Sequence, residues 1–555
     1  MDSMYVLSAA EMQACDRSTS EHFGVPSLSL MRAAATSVAA FARQQFPNAL
    51  RVTALCGTGN NGGDGLMAAR LLSDAGLDVT TLLLGEHGKL SGDAAEAWRE
   101  LNSPAHGSVH IVTTADDLSR HKSSRETDLI IDAIVGTGFN PPLRGLALAA
   151  FDWLKASHAP ILAVDLPSGW PADATTATVD GPVFPADAVI TFTSPKSAHV
   201  FGELTRHWDQ PIVVAPIGSP EAAIISHLNL HWAGSALSLT QIPRAVASNK
   251  GNFGHVLVVG GSLGTAGGKS GAPAMASLAA LRAGAGLVTA ATPAPALALV
   301  AAVAPELMTI PLAPTPAGQI AAENIASDVL AVLMAGKTVL AIGPGLGQCL
   351  DTVKFTTGLL LATKIPAVID ADALNILSTK PVLLARLACR GERTLVLTPH
   401  PGEMARLAGI PIAEVQANRL EVARAFAQRF SITLVLKGAR TVIAHPDGRV
   451  AINTTGNPAM AKGGSGDLLT GLIAGMLAQY ATDPAQAIEA AVYLHGLAAD
   501  LAVRQADQHT LLATDSLAQF SRAFRFQSRG QNGYVWLQGL PADSSPTAAS
   551  HEAAR

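Results

Sequence analysis

Short runs of apolar, often β-branched residues alternate along the chain with longer stretches rich in Ala and Leu. The apolar runs are hydrophobic at consecutive positions, which is typical of parallel strands covered by helices on both faces. The pattern therefore predicts an α/β protein. The runs that predict strands lie at 51–57, 128–136, 160–169, 187–193, 254–261, 338–345, 366–374, 394–403 and 432–438.

The runs fall into two blocks, and a chain of 555 residues is long enough for two large domains or about three smaller ones. The first block ends after the apolar run 211–218, which places a domain at 1–220. The second domain is predicted at 245–526, with 221–244 as a linker because it carries few strand signals. Residues 527–555 are predicted to be disordered, because 539–555 is small, polar and contains proline.

The overall hydrophobicity raises the question of a membrane protein, since the mean hydropathy is +0.29 and 48% of residues are hydrophobic. The largely apolar run 468–479 has 12 residues, fewer than the roughly 20 that a membrane-spanning helix needs. The first residues are acidic and lack the basic-then-apolar order of a signal peptide. We therefore expect neither a membrane span nor secretion.

The charge balance argues against nucleic acid as a partner, because 38 Lys and Arg face 43 Asp and Glu for a net charge of −5. Ala-rich helices with few surface charges would permit a homo-oligomer. The cysteines are far apart and form no metal-binding spacing, so they predict free thiols and a cytoplasmic location. These cysteines are Cys15, Cys56, Cys349 and Cys389.

A glycine-rich segment at 56–72 follows a predicted strand and opens a predicted helix. Its glycines Gly59, Gly62, Gly63 and Gly65 allow positive φ angles and close backbone approach, so that N–H groups can surround an anion. Asn60, Asn61 and Asp64 can coordinate a ribose, an amide or a hard cation. The alternative is a tight turn with no ligand. The spacing differs from the usual GxGxxG fingerprint, which makes a redox dinucleotide domain less favoured.

Two further strands end in similar chemistry. Asp132 lies within one predicted strand, and Gly136, Thr137, Gly138 and Phe139 follow it. Asp165 ends the next strand, with Ser168 and Gly169 in the turn beyond. Asp165 alone could also serve as a turn cap. The carboxyl ends of parallel strands converge on one crevice, so three such loops favour a binding site.

The strongest signal lies at 457–479, where Gly463, Gly464, Ser465 and Gly466 lead into an apolar helix near Asp467. A glycine-rich turn at a helix start directs free N–H groups and the positive end of the helix dipole toward an anion. Asp467 is then placed to take a proton from a hydroxyl that attacks phosphorus. The alternative is an ordinary N-cap aspartate, but a cap needs one polar residue and not this whole run.

The motifs GTGNNGGDG, DAIVGTGFN and VDLPSGW, with the preceding PSLSLMRAAA, resemble the N-terminal domain of the bifunctional NAD(P)H-hydrate repair enzyme family over about 5–220. The resemblance implies a Rossmann-like domain that interconverts the R and S hydrates of NADH and NADPH. It implies Asp165 as the acid/base residue and a potassium ion among Asn61, Asp132 and Ser168. It assigns hydrate binding to Asn60, Asn61, Gly62, Gly63, Asp64, Gly136, Thr137, Gly138, Phe139, Asn140, Pro141, Pro142 and Asp165.

GGSGD resembles the signature of ribokinase-like proteins, and the stretches 254–289, 341–347, 368–375, 397–407, 435–443 and 493–500 resemble the ADP/ATP-dependent NAD(P)H-hydrate dehydratase of that family over about 245–525. The implied reaction phosphorylates the 6-hydroxyl of the S hydrate from ADP, with ATP as the other nucleotide. Phosphate then leaves, so that NAD(P)H, AMP and phosphate are formed. Asp467 is the implied base, and a magnesium ion is expected because divalent cations neutralise a transferring phosphoryl group.

The same resemblance assigns residues to the two ligands of this domain. Hydrate binding falls to Ala272, Gly347, His400 and Asp467, with Glu403 beside them. Nucleotide binding falls to Lys437, Gly438, Ala439, Arg440, Thr441, Gly463, Gly464, Ser465 and Gly466.

Several alternatives stay open at this point. Asp370 and Asp372 either support a loop or hold a metal, and His400 and Lys437 are also consistent with structural roles. His255 and His495 are predicted to be packing residues. The competing function is a ribokinase-like small-molecule kinase, acting on a vitamin precursor, with a non-catalytic N-terminal binding domain. The first block and the motifs PHPGE and GPGLG favour the dehydratase.

Overall fold

The computed structural model describes residues 4–101, 107–389, 393–530 and 532–541. The chain divides into two compact units. The N-terminal unit is formed by Met4–Trp232 and by the described part of Ser528–Ser545, and the C-terminal unit by Ala233–Gln527. Each unit has a largely parallel sheet with helices, so the predicted α/β class is confirmed. Each run that was predicted to form a strand contains an observed strand.

The elements of the N-terminal unit alternate between strands and helices along the chain. Its strands are β1 Met4–Tyr5, β2 Arg51–Cys56, β3 Asp78–Leu84, β4 Ser108–Val112, β5 Leu129–Ala133, β6 Ile161–Val164, β7 Ala188–Phe192, β8 Ile212–Ala215 and β9 Leu230–Trp232. Its helices are α1 Ala9–Glu21, α2 Ser27–Gln45, α3 Asn60–Asp74, α4 Gly92–Leu101, α5 Ala115–Arg120, α6 Gly145–Leu154 and α7 Ser197–Phe201.

The parallel strands of this unit run in the order β8-β7-β6-β5-β2-β3-β4. Successive residues of β5 serve two cores: Leu129 and Ile131 belong to the cluster under α2 and α3, and Ile130 to the cluster under α6. The sheet is therefore covered on both faces, as its continuous apolar strands predict. β3 and β4 follow β2 on one side, and β5 to β8 lie on its other side, so the chain changes direction across the sheet between β2 and β5. Doubly wound sheets bind ligands at such a switch point.

The C-terminal unit has the same alternation with more helices. Its strands are β10 His255–Val259, β11 Leu263–Gly264, β12 Gly267–Gly268, β13 Leu287–Pro293, β14 Met308–Leu312, β15 Val339–Ile342, β16 Ala367–Ile369, β17 Leu395–Leu397, β18 Thr433–Leu436, β19 Thr441–Ala444 and β20 Val450–Asn453. Its helices are α8 Leu237–Thr240, α9 Gly271–Ala283, α10 Leu297–Ala301, α11 Ser327–Met334, α12 Leu350–Ala362, α13 Ala371–Ser378, α14 Pro381–Ala388, α15 Pro401–Ala408, α16 Ile412–Ala417, α17 Arg419–Phe430, α18 Ser465–Gln479, α19 Pro484–Ala502 and α20 Phe520–Arg525.

Seven strands of this unit are parallel in the order β14-β13-β10-β15-β16-β17-β18, and β19 and β20 continue the sheet antiparallel. The central helix α18 lies close to α9, because a Cβ added to Gly471 would be 1.9 Å from the carbonyl oxygen of Ala276. Glycine thus permits the close packing that positions the start of α18. Across the described ranges, the longest helices fall short of the length and apolarity that crossing a bilayer requires.

The predicted disorder of 527–555 is wrong for its first part, while residues 542–555 lie outside the described ranges. Strand β21, Val535–Gln538, pairs antiparallel with β8 at the edge of the N-terminal sheet. Tyr534 and Trp536 are buried against Phe41 of α2, with ring centroids 6.1 and 6.2 Å away. The sequence did not predict this strand, because four residues next to a polar tail give too short a hydrophobic pattern. The strand becomes recognisable only from its pairing with β8.

The predicted linker 221–244 is also wrong, because part of it belongs to the N-terminal unit. Leu230 and Trp232 are buried in β9, which pairs antiparallel with β1. The boundary between the units falls after Trp232. Two buried side chains in three residues are too weak a pattern to stand out in the sequence.

We expect Trp536→Ala to destabilise the N-terminal unit by about 3–5 kcal/mol, since it removes a large side chain that is only 6% exposed. Chemical denaturation followed by far-UV circular dichroism measures the effect. The matched control is Ile111→Ala on β4 of the same sheet, a side chain that is 42% exposed and should change stability by less than about 1 kcal/mol. Equal losses of stability for the two substitutions would contradict the packing of Trp536 against Phe41.

Candidate active sites

The carboxyl ends of the central strands of the N-terminal sheet open into a cavity of about 840 Å³. The loops after β2, β5 and β6 form one side, and side chains of α1 and α2 also line it. The predicted convergence of these loops is therefore observed. Of the predicted hydrate-binding residues, those that line the cavity are Asn60, Asn61, Asp64, Gly136, Thr137, Gly138, Phe139 and Asp165.

The remaining predicted residues, Gly62, Gly63, Asn140, Pro141 and Pro142, are absent from the lining. Helix α3 begins at Asn60, so Gly62 and Gly63 are helical and neither has a positive φ. The expected backbone role is thus corrected in part. A Cβ on Gly62 would lie 1.9 Å from the carbonyl oxygen of Gly57, so these glycines serve close packing at the helix start.

Asp165 lines the cavity, and its carboxylate accepts four hydrogen bonds. Its Oδ1 accepts hydrogen bonds from Lys196 Nζ at 2.7 Å and Thr191 Oγ1 at 2.9 Å. Its Oδ2 accepts from the backbone N–H of Thr137 at 2.7 Å and from the Thr137 hydroxyl at 2.6 Å. Burial alone would raise the pKa of Asp165, but Lys196, His199 and these donors hold it well below its usual value. Its φ of +66° is strained for a residue with a side chain.

Lys196 and His199 complete this network from the loop and helix after β7. Lys196 is only 2% exposed and also donates to Thr191 Oγ1 at 2.7 Å. The Lys196 backbone N–H donates to His199 Nδ1 at 3.0 Å, so His199 Nε2 carries the proton that it donates to the Asp165 carbonyl at 2.7 Å. Burial and then Lys196 lower the pKa of His199 to about 4, which keeps the imidazole neutral.

Sequence reasoning missed Lys196, Thr191 and His199. One signal was available, because all three lie in or just after the predicted strand 187–193, whose carboxyl end belongs to the same sheet edge. No known motif marks them in isolation.

Asp132 and Ser168 form a second buried group beside the cavity. Ser168 donates to Asp132 from its backbone N–H at 2.7 Å and from its hydroxyl at 2.6 Å. Burial raises the pKa of Asp132 to about 6, although the Ser168 hydrogen bonds oppose this. Both polar side-chain atoms of Asn61 are buried without a hydrogen-bond partner. The three residues predicted to share a cation thus include an amide with unused oxygen and nitrogen atoms.

In the C-terminal unit, the loops after β16 and β18 meet the start of α18. Lys437 Nζ donates to Asp370 Oδ1 at 2.8 Å, and Thr470 of α18 donates to Asp370 Oδ2 at 2.6 Å. A Cβ added to Gly466 would lie 3.3 Å from Lys437 Nζ. Burial would raise the pKa of Asp370, but Lys437 holds it below its usual value. The ammonium therefore lies directly beside the glycine turn, which argues against a solvated Lys437.

Asp372 accepts hydrogen bonds from a neighbouring loop, which agrees with the loop-supporting alternative. Its Oδ2 accepts from the Gly347 backbone N–H at 2.9 Å and from Lys269 Nζ at 3.3 Å, and its Oδ1 accepts from Gln348 Nε2 at 2.9 Å. Gly347 has a φ of +82°, which favours glycine. The predicted contact residue Ala272 is near, since its Cβ would lie 3.3 Å from one added to Gly345.

Asp467 lies in the first turn of α18, but it is not the cap. The N-cap is Gly464, with a φ of +98° and no side-chain hydrogen bond, so the N-cap interpretation of Asp467 is wrong. Burial and then Asp370 raise the pKa of Asp467 to about 6, while Lys437 and Lys269 oppose the shift. The carboxyl of Asp467 is therefore poised to exchange a proton near neutral pH.

His400 has a structural role whether or not it contacts a ligand. It is the N-cap of α15, where its Nδ1 accepts from the Gly402 N–H at 3.0 Å and its own N–H donates to Glu403 at 2.9 Å. The segment 437–441 is held by Arg419, whose guanidinium donates to the carbonyls of Leu436, at 3.2 Å, and Ala439. Sequence reasoning missed Arg419, which lies eighteen residues before the segment that it holds.

His255 and His495 were predicted to be packing residues. His255 Nε2 lies 2.8 Å from Thr289 Oγ1 on the neighbouring strand, which agrees with that role. His495 is buried on α19 and bonds to the backbone of Ser465 at the start of α18. Burial lowers its pKa to about 4, so a neutral imidazole supports the glycine turn.

Comparisons with known proteins agree with this division into two sites. A family model described as NAD(P)H-hydrate dehydratase matches residues 256–521, and one described as YjeF-related protein N-terminus matches 27–198. The bifunctional NAD(P)H-hydrate repair enzyme of Moorella thermoacetica is 42% identical over 520 residues, covering 93% of this chain and 95% of that relative. The chain belongs to the bifunctional NAD(P)H-hydrate repair enzyme family.

Other relatives of the repair enzyme family are more distant. The Escherichia coli repair enzyme is 35% identical over 525 residues, with 93% of each chain covered. A solved ADP/ATP-dependent NAD(P)H-hydrate dehydratase from Bacillus subtilis, co-crystallised with ATP and Mg²⁺, is 35% identical over 51% of this chain and 93% of its own, with a TM-score of 0.43. The two family matches fall within the two units, and this chain is a bifunctional enzyme with an epimerase and a dehydratase.

Proposed function

We propose that the N-terminal unit interconverts the R and S hydrates of NADH and NADPH, and that the C-terminal unit dehydrates the S form with ADP, releasing AMP and phosphate. The observation that carries the second activity is the half-buried carboxyl of Asp467, which lies in the first turn of α18 and interacts electrostatically with Asp370 and Lys437. The combination is chemically consistent, since a dehydratase that accepts one epimer needs a partner to convert the other.

The dehydratase site solves a leaving-group problem. Hydroxide leaves a ring carbon poorly, whereas phosphate leaves well, with the ring nitrogen supplying electrons. We propose that Asp467 accepts the proton of the 6-hydroxyl as that oxygen attacks the terminal phosphate. The N–H groups of 463–466 and the ammonium of Lys437 would bind the phosphate charge. The segment 437–441 would hold the nucleotide, and Gly347, Ala272 and His400 the hydrate.

Magnesium fits this site as a companion of the nucleotide. Asp370 and Asp372 already accept hydrogen bonds at both carboxylate oxygens, and no cluster of three or more His, Cys, Asp or Glu able to hold a metal occurs within the described ranges. Mg²⁺ commonly binds through substrate phosphates and few protein ligands. When bound, it would neutralise phosphate charge.

The epimerase reaction needs the C–O bond next to the ring nitrogen to break and re-form on the other face. A positive charge develops on the ring as the nitrogen lone pair assists. We propose that Asp165, kept ionised by Lys196, stabilises that charge. The role of Asp165 as an acid/base residue stays a prediction, and its four donors favour the electrostatic role.

We also propose a potassium ion at Asn61, Asp132 and Ser168, because the oxygen and nitrogen of the Asn61 amide are buried with no partner, Asp132 is a buried carboxyl bonded to Ser168, and neutral oxygens suit K⁺. Exchanging choline chloride for 100 mM KCl should raise the melting temperature of the wild type by several degrees, as expected for a ligand that binds only the folded state. Asn61→Ala should lose this response, and the exposed Asn48→Ala should keep it. A potassium response that survives Asn61→Ala would contradict the site.

The dehydratase should depend on pH through Asp467. A base must be unprotonated, so kcat/KM for the S hydrate at saturating ADP should rise with pH through about 6 and level off above 7, given the raised pKa of Asp467. Initial rates at constant ionic strength measure this profile. A flat profile between pH 5 and 8 would rule out Asp467 as the base.

A single reaction tests the proposed function. The purified chain is mixed with racemic NADH hydrate and ADP, and the absorbance of the restored dihydropyridine and the released phosphate are followed. Full conversion with one phosphate per NADH supports both activities. Conversion that stops near half shows an inactive epimerase, and a stable phosphoester without free phosphate supports the kinase alternative.

We further propose a cytoplasmic location, because the four cysteines are free and free thiols persist in reducing compartments.

A further inference from the structure

The epimerase cavity contains a carboxyl that the roles assigned above do not use. Asp16 lies on α1, outside the strand-end loops, and lines the same cavity as Asp165. Its Oδ1 is buried and has no hydrogen-bond partner. Asp165, in contrast, has both oxygens occupied by donors, one of them an ammonium. The carboxyls of Asp16 and Asp165 are thus in opposite electrostatic situations, although they line the same cavity.

The reaction requires one group that both gives and takes a proton. When the C6–O bond breaks, its electron pair leaves with the oxygen, which needs a proton to depart as water. The ring nitrogen forms a double bond to C6, water adds to the opposite face, and that water must lose a proton. No oxidant or reductant is needed, and one carboxyl that cycles between acid and base balances both steps.

Asp165 is poorly suited to this cycle, because a carboxylate held by Lys196 and three further hydrogen bonds resists protonation. Resting on the proposed epimerase activity, we propose that Asp16 is the proton-transfer residue: its carboxyl protonates the departing hydroxyl and takes the proton of the returning water. Asp165 then stabilises the cationic ring while Asp16 moves the proton. Pairs of carboxyls in unlike environments divide such roles in other enzymes.

The surroundings of Asp16 agree with this division. Burial raises its pKa to about 6, Lys196 and Arg17 oppose the shift, and Asp165 adds to it. Asp64 of α3 faces the same cavity, and burial, Asp165 and Asp16 raise its pKa well above normal. Cys15 precedes Asp16 on α1, and its pKa is raised by burial and then by Asp16. Asp16 is therefore the carboxyl that exchanges protons near neutral pH with an open oxygen.

The test compares Asp16→Asn with Asp16→Glu and the wild type in epimerisation of the pure R hydrate, followed by chromatography without ADP. We expect Asp16→Asn to lower kcat by at least about 10²-fold with little change in KM, and to remove the pH limb near 6. Asp16→Glu should recover at least about a tenth of the wild-type rate. Solvent ¹⁸O should enter the product of the wild type, and this exchange should slow equally in Asp16→Asn.

The melting temperature of Asp16→Asn distinguishes a proton-transfer role of Asp16 from a structural role. A buried carboxyl oxygen with no partner destabilises the fold, so Asp16→Asn should keep or raise the melting temperature while activity falls. Dehydration of the S hydrate with ADP, catalysed by the other unit, should be unchanged. A wild type that does not epimerise above the uncatalysed rate would overturn the proposed function itself. An active wild type with Asp16→Asn within about threefold of it, or defective only in KM, would overturn the role of Asp16.

Discussion

Asp467→Asn should lower ADP-dependent dehydration of the S hydrate by about 10²–10⁴-fold, the usual contribution of a positioned general base. The amide keeps the size of the side chain but cannot accept the hydroxyl proton as phosphorus is attacked. The proposed nucleotide-binding groups, Lys437 and the N–H groups of 463–466, are unchanged by this substitution, so the variant should still bind ADP. The loss should therefore appear in kcat. Phosphate release from purified S hydrate at saturating ADP measures it.

Two controls make this result specific to the dehydratase. Asp447→Asn changes an exposed carboxyl of the same unit, paired with Arg449, and should leave the rate within about twofold of wild type. Epimerisation of the R hydrate by Asp467→Asn should match the wild type, since the epimerase residues lie in the other unit. If Asp467→Asn released phosphate at the wild-type rate, the assignment of the base would fail.

Lys196→Met should destabilise the N-terminal unit by about 3–5 kcal/mol and abolish epimerisation. It removes the ammonium from a pair that is almost fully buried and leaves the Asp165 carboxylate uncompensated. Without Lys196, burial would raise the pKa of Asp165, so the destabilisation should shrink as pH falls toward 4, where the acid becomes neutral. Denaturant titrations at pH 7.5 and pH 4.5 measure both effects.

The double variant Lys196→Met, Asp165→Asn tests whether the uncompensated charge of Asp165 causes the loss of stability. It removes both charges, so it should regain most of the lost stability while remaining inactive as an epimerase. Lys155→Met is the matched control, because Lys155 forms an exposed pair with Asp152 and should cost at most about 1 kcal/mol. A double variant no more stable than Lys196→Met would show that packing around Lys196 matters more than its charge.

The sequence was most informative where local pattern and chemistry coincide. Consecutive apolar residues such as 129–131 predicted parallel strands, because each strand faces two cores. Parallel strands place their carboxyl ends together, so the convergence of the loops around Asp132 and Asp165 followed from the fold class. The glycine run before Asp467 predicted the start of a helix, and α18 begins there with Gly464 as its N-cap.

The features that were missed depend on contacts between distant parts of the chain. Lys196 becomes significant only when folding brings it within 2.7 Å of Asp165, thirty-one residues earlier. Arg419 supports the segment 437–441 through the backbone carbonyls of Leu436 and Ala439, which no sequence motif records. Gly62 and Gly63 were expected to allow unusual backbone angles, but a glycine needed for close packing looks the same in sequence.

The late position of β21 affects how the protein is made. The edge strand that covers Phe41 is translated only after all of Ala233–Gln527 has emerged from the ribosome. The first unit to be synthesised is thus the last to be completed, and until then the outer edge of β8, opposite β7, has no partner strand. Premature termination anywhere within the C-terminal unit would leave an unstable epimerase as well as a broken dehydratase. A chain that ends early therefore loses both activities together, because the last strand of the epimerase unit follows the whole dehydratase unit.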